Sequence, residues 1–442
     1  MRISKTNFHR IAVFVIIVGS VFIDLLNGYF INNYNPLPIG IAFRLLITLF
    51  AFAYLIKYPK FYNYKIYLTI IFFLWICCNT YWIISGQDIN PSIEISEFSK
   101  ILYPLFIAFY LKYVLDRGYV IFETLLKWSV LNGLVSGLCI LFSSLTGVGF
   151  NTYGYAKTGA SFSFGTTSFF NAQNDLSLAM LLSFCCSLYF LFVNKRFSDL
   201  LKTSFIFIGL TLIGTRAGLI GGLAAIFFFV VYMIFFGDKN SSQNFFHKII
   251  TVLIIIVVAV LSGLFVYREI EKNPYLLRKY AATAIASPRA VLGNAADLYI
   301  EKKESRPLPF LFGLGNKTYT AALPLTLNIS NNQDTDEEGK YAEKDLTDLI
   351  GGYGRLFAYV IFALPVFAFI RILRDFLLTP KSYLKFSLLI SISVFIFHSI
   401  LVGHGIKNPE VGTLLAIVYV YVFNLKKIKR TMNGYNTSVQ LT

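Results

Sequence analysis

The stretch AEKDLTDLIGGYG, residues 342 to 354, sets three carboxylates within six positions: Glu343, Asp345 and Asp348. The run that follows, RLFAYVIFALPVFAFI, is apolar enough to enter hydrocarbon. Carboxylates at such a boundary are costly and usually have a function. A solvated helix start, where the dipole favours negative charge, needs only one of them. On a helix Asp345 and Asp348 share a face at i,i+3 spacing, while Glu343 and Asp345 point about 200° apart. A partly desolvated carboxylate near arginines can take the proton from an alcohol. An oxygen-only metal site would recruit more ligands than one short run supplies, so neither a metal nor an organic cofactor is expected.

Arginines supply the other half of such chemistry. Arg216, in LIGTRAGLIGGLAAIFFF, lies between two apolar runs with Gly214, Ala217 and Gly218 around it. It can snorkel to the headgroups or grip a phosphate bidentately at that depth. Arg289 follows Pro288 in ASPRAVLGNAADLYI, in what reads as the positively polarised first turn of a helix. Arg268, Arg278 and Lys279 compete with it for a phosphate. His404 and Glu410, with Lys407 between them in HSILVGHGIKNPEVGTLL, are candidates for substrate contact. So is Asn174 in TTSFFNAQNDLSLAML, with Asn171, Gln173 and Asp175 beside it, because amides among aromatics suit a sugar as well as a helix cap. Tyr353, at the G-x-Y-G end of the acidic stretch, is counted with them.

Apolar segments must position these residues. The chain of 442 residues is 56% hydrophobic and 17% aromatic. It is only 14% charged, where a soluble domain carries about 25%. Its apolar runs, of roughly 17 to 23 residues, are each long enough to cross about 30 Å of hydrocarbon. Twelve are read, near 11–31, 39–57, 65–85, 98–115, 121–146, 174–193, 198–214, 217–236, 247–267, 351–370, 383–401 and 408–425. The fold class is therefore an all-α polytopic membrane protein with about twelve transmembrane helices. The domain division is helices one to nine in 1–267, an external loop with helical segments in 268–350, helices ten to twelve in 351–425 and a tail in 426–442.

The net charge of +16 concentrates in short connections, such as Lys57, Lys60 and Lys65, or Lys195, Arg196 and Lys202. Such loops are cytoplasmic by the positive-inside rule, which explains the charge without nucleic acid. Both termini are then cytoplasmic, and the acidic stretch, Arg216 and His404 gather on the outer face. All five cysteines fall inside apolar runs, so no disulfide and no CxxC metal site is expected. The first run has the basic flank of a signal peptide, but its core is long and lacks an A-x-A site, so it reads as a retained helix.

GTRAG resembles the transmembrane Ser/Thr-Arg-Gly/Ala element of the O-antigen polymerases and O-antigen ligases, membrane glycosyltransferases that use undecaprenyl-diphosphate-linked glycans. The match puts Arg216 on that family's essential arginine. SPRAVLGNAADLYI followed by PFLFGLGNKTY is similar to the family's arginine helix and Gly-x-Gly pattern, which puts Arg289 on its second arginine. The resemblance runs from about 160 to 420. Ligases typically show a His-Asn pair where this chain has Glu343-Lys344, and the E-x-D-x-x-D run before G-x-Y-G looks like the polymerase branch.

The resemblance implies a GT-C-type glycosyltransferase fold and an inverting, metal-independent polymerase of the bacterial cytoplasmic membrane, acting on its periplasmic face. Donor and acceptor would be undecaprenyl-diphosphate-linked oligosaccharides, handled among membrane lipids and alongside a flippase and a chain-length regulator. Glu343 or Asp345 would be the base, with Asp348 in the same carboxylate group, and Arg216 and Arg289 would neutralise the diphosphate. The alternatives are a ligase transferring glycan to lipid A-core and a lipid-linked oligosaccharide flippase. A transporter would place charges near mid-membrane, often in two related halves, and no internal repeat is seen.

Overall fold

The computed structural model describes residues 4–32, 39–58, 62–153, 164–194, 196–236, 307–326, 344–378, 382–401 and 403–425, together with Ala342 and isolated positions between 257 and 301. In hydrocarbon every backbone polar group has to be satisfied within the chain, so long apolar runs become helices. Among the described residues nine helices are long and apolar enough to cross a membrane.

In chain order, α1 (Lys5–Phe14) passes through a π turn (Val15–Gly19) into α2 (Ser20–Asn32) as one span. There follow α3 (Ile39–Lys57), α4 (Tyr62–Ile84), α5 (Pro91–Asp116) and α6 (Phe122–Thr146). A hairpin of β1 (Phe150–Tyr153) and β2 (Phe164–Ser168) sits in the next connection, antiparallel, with Asn151 opposite Thr166. Then come α7 (Gln173–Asn194), α8 (Phe197–Leu212) and α9 (Arg216–Phe236). Two short helices, α10 (Pro307–Phe312) and α11 (Asn316–Thr326), precede α12 (Asp345–Leu378), α13 (Tyr383–Leu401) and α14 (Pro409–Phe423).

The helices fall where the apolar runs predict, with two adjustments. α8 has 16 residues, about 24 Å at a rise of about 1.5 Å per residue, and α14 is likewise short of a full crossing. The expected span at 247–267, and most of the expected loop at 268–350, lie outside the described residues. α5 and α7 are buried almost all round and form the centre of the bundle. α3 and α4 sit at its edge and turn Leu45, Leu46, Phe73 and Ile76 outward, as lipid-facing helices do. Small residues let the inner helices approach closely: a Cβ on Gly209 of α8 would stand 2.7 Å from the Gly137 Cα of α6.

One helix is broken, and the break explains the glycines of the acidic stretch. Gly354, inside α12, has φ 83 and ψ 168, a conformation open essentially to glycine alone. The turn between α10 and α11 enters at this break: Leu314 N donates to Gly351 O at 3.0 Å and Gly315 N to Gly352 O at 2.9 Å. The Trp82 Nε1 of α4 donates to Phe312 O at 2.9 Å, and Glu94 of α5 accepts from Asn316 N at 2.7 Å, so two more helices clamp the same turn. A Cβ on Gly354 would lie 2.2 Å from Leu311 O. Gly354→Ala should therefore cost at least about 1–3 kcal/mol and lower the melting temperature of the purified protein by several degrees. An unchanged melting curve would contradict this account of the break.

Candidate functional site

A cavity of about 550 Å³ opens between α2, α3, α5, α7 and the loop that leads into α14. α2 contributes Asp24 and Asn27, α3 contributes Arg44, and α5 contributes Ser96, Glu97 and Lys100. The turn into α7 adds Asn171 and Asp175, and the approach to α14 adds His404, Lys407, Asn408 and Glu410. All lie near one end of the bundle, because short connections make consecutive helices alternate and bring the last turns of α2 beside the first turns of α3, α5, α7 and α14. Local signals set those first turns. Asn90 caps α5, accepting from Ser92 N at 3.1 Å with Pro91 at the first position, and Asn408 caps α14, accepting from Val411 N at 3.0 Å with Pro409 after it.

The charges in this cavity are arranged in pairs. Glu97 stands between two lysines, with Oε1 2.5 Å from Lys100 Nζ and Oε2 2.7 Å from Lys407 Nζ. The side chains of Glu97 and Lys407 are 7% and 8% exposed, too dry for either charge to stand alone. Arg44 lies within electrostatic reach of Asp24, and its Nε donates to Gly40 O at 3.1 Å. Asp175 Oδ2 accepts from Asn408 Nδ2 at 3.2 Å. Glu410 is 2% exposed, beside Asn132 and Ser136 of α6 and the Asp24 carboxyl. Four carboxyl groups thus share the cavity with one arginine, two lysines and the imidazole of His404. Among the described residues, no three His, Cys, Asp or Glu side chains come together as a metal-holding group.

The loop that carries His404 and Lys407 is itself held in place. His404 has φ 66, in the left-handed region that non-glycine residues rarely adopt, directly after Gly403 at φ 78. Gly403 N donates to His398 O at 2.8 Å, and Ile406 N donates to Asp345 Oδ2 at 3.1 Å. Asp345 therefore anchors the cavity loop. Asp348 Oδ1 accepts from Ala342 N at 2.8 Å and from Tyr319 OH at 3.1 Å, and so ties α11 to the start of α12. Both aspartates are 1% exposed and neither lines the cavity. Where the spacing of the acidic run suggested a base, the structure gives these two side chains anchoring partners.

The other candidates separate cleanly. His404 and Glu410 line the cavity. Asn174 sits half-buried in the first turn of α7, next to Asp175, which does line it. Arg216 opens α9 at the same end of the bundle. Its neighbour Thr215 shares a 2.6 Å hydrogen bond with Ser177 of α7, but Arg216 does not line the cavity. Tyr353 is fully buried, its ring packed on Phe357 and Trp82. Glu343, Arg278 and Arg289 lie outside the described residues. Sequence reasoning passed over Asp24, Arg44, Glu97 and Lys100. The signal was present, since Asp24 and Arg44 are lone charges inside apolar runs and Glu97 and Lys100 lie at the edge of one, and charges within membrane segments mark functional sites by default.

No protein-family model matches the chain, and no curated protein is significantly similar to it. Fold and site together define a predominantly helical, multi-pass membrane protein with a charged cavity at one end of the bundle.

Removing one lysine tests the pairing. Lys407→Met should destabilise the protein by about 3 kcal/mol, the low end for a broken buried pair because Lys100 still faces Glu97. The double variant Glu97→Gln/Lys407→Met should recover most of that loss in a thermal or denaturant unfolding cycle. Strictly additive effects would contradict the pairing.

Proposed function

We propose that this protein is a surface-polysaccharide polymerase of the O-antigen type, a glycosyltransferase joining undecaprenyl-diphosphate-linked repeat units. The observation that carries the reading is the cavity: cations and carboxyl groups side by side, inside an apolar bundle, at one end. Inverting glycosyl transfer from a polyprenyl diphosphate needs both kinds of group at once. The acceptor oxygen attacks the anomeric carbon from the face opposite the leaving group. The carbon–oxygen bond to phosphate breaks, the diphosphate departs with the electron pair, and the acceptor's proton goes to a base. In this reading Arg44, Lys100 and Lys407 meet the diphosphate, and Asp175, oriented by the Asn408 amide, takes the proton. Arg216, at the same end of the bundle, extends the cationic surface that the lipid-linked substrate meets first. Glu343 remains a second candidate base, and Arg278 and Arg289 remain further phosphate contacts.

The apolar outer face of α3 beside the cavity suits the polyprenyl tails. Lysines and arginines crowd the connections at the opposite end, such as 57–65 and 195–202, which supports cytoplasmic termini and a site facing the periplasm. A chain-length regulator and a flippase would then work beside it, the flippase delivering repeat units to this face.

One observation favours a second reading, a transporter of lipid-linked oligosaccharide. Asp24 and Arg44 lie within helices, and α12 is discontinuous at Gly354, as transporter helices often are. The two readings, and the ligase, separate in one assay: purified protein in lipid nanodiscs with undecaprenyl-diphosphate-linked repeat units as the sole substrate. The expected product is a ladder of polymer, undiminished by excess EDTA. Arg44→Ala and Lys100→Ala, checked to be folded, should each lower the rate by about a hundredfold or more, and Arg216→Ala should lower it as well. Absence of polymer, or a wild-type rate from Arg44→Ala and Lys100→Ala, would overturn the reading. Reversible loss of activity in EDTA would contradict its metal independence.

A further inference from the structure

The Asp24 and Glu410 carboxyls come from opposite ends of the chain and stand within hydrogen-bonding reach of each other in the wall of the cavity. Glu410 is 2% exposed, and its Oε1 has no hydrogen-bond partner among the described residues. Ionised carboxylates only accept hydrogen bonds. Two of them at that distance repel unless a proton lies between them, as in other close carboxylate pairs.

The surroundings do not remove the need for that proton. From α3, Arg44 attracts Asp24 but is also drawn to Glu97 of α5. Asn132 and Ser136 of α6 offer Glu410 neutral contacts, and Asp175 of α7 adds a further negative charge beside it. Tyr103 of α5 is occupied with Thr413 at 3.2 Å. Lys100 and Lys407 both face Glu97, and His404 lines the same space. From α12, Asp345 accepts from Ile406 N, and from α13 the backbone of His398 holds Gly403. With every carboxyl ionised and His404 neutral, the four acids outnumber the three cations, leaving one net negative charge that opposes an anion.

We infer that Asp24 and Glu410 form a proton-binding site, and that the single proton they share is what makes the cavity receptive to a phosphate-class anion. With the proton in place the acids and cations of the cavity balance, and Arg44 is released from Asp24 to meet the incoming charge. The inference rests on the reading of the cavity as an anion site. It adds that anion and proton bind together, each raising the affinity for the other.

Inorganic pyrophosphate is the probe, titrated calorimetrically into the purified full-length protein in nanodiscs across a pH series. Glu410→Gln, whose side chain needs no proton, corrects for the probe's own titration. The expected result is that wild-type affinity falls relative to Glu410→Gln by about tenfold for each pH unit, once the shared proton is lost. The variant should then bind more tightly than wild type at alkaline pH. Asp24→Asn, which removes the other carboxyl from a different helix, should reproduce the effect if Glu410→Gln fails to fold. Parallel pH profiles for wild type and variants would overturn the inference and leave the anion reading standing. No pyrophosphate binding at any pH would overturn both.

Discussion

A charge inside an apolar helix bundle has to find its partner there, and that constraint organises this structure. Glu97 is the pivot. It enters two turns below the Asn90 cap of α5 and is met by Lys100 from its own helix and Lys407 from the far end of the chain. Because Lys407 reaches it from a loop, the loop must be fixed, and Asp345 fixes it through Ile406 N. Because Asp345 sits at the start of α12, that start must be fixed too, and Asp348, Tyr319 and the clamp at Gly351 and Gly352 do this. Asp345, Asp348 and the glycines that follow them thus hold the loop that forms part of the cavity wall.

The same reasoning explains why the cavity carries mixed charge. Three cations without acids would be too costly in a bundle of this kind, and four acids without cations costlier still. Interleaving them lets each buried charge face an opposite one, and under the proposed function it leaves cations that an incoming phosphate would recruit by displacing a carboxylate. His404, held at φ 66 in the same wall, is a local strain that the surrounding bonds sustain, as is common where a side chain is aimed at a ligand.

Much of this was legible in the sequence. The apolar runs located the described helices, with ends that differ by up to eight residues where polar turns extend a helix beyond its apolar core, as at Asp345–Leu378. Alternation of those helices placed His404, Glu410 and Asn174 at one end. The azimuth of each helix was not legible. Asp24 and Arg44 read as single charges in otherwise uniform apolar runs, and nothing local says that both turn into the cavity that Glu410, far along the chain, also lines. Asp345 and Asp348 were legible as an acidic helix face, and their partners were not. Their spacing put them on one helix face, as seen, but their partners are the Ile406 and Ala342 amides and the Tyr319 hydroxyl, groups that no local pattern reveals. The glycines of GGYG were legible only as the close of the acidic stretch, and neither the break at Gly354 nor the entry of the turn at 313–315 could be read from them.

Under the proposed function, the cavity between α2, α3, α5, α7 and α14 is where an anionic, lipid-linked substrate binds. The most direct measurement is a cryo-electron microscopy structure of the protein in nanodiscs with a polyprenyl diphosphate bound. The expected result is phosphate density in contact with Arg44, Lys100 and Lys407, and the lipid tail against the outer face of α3. Phosphate density held elsewhere, beside Arg216 with the cavity empty, would contradict it.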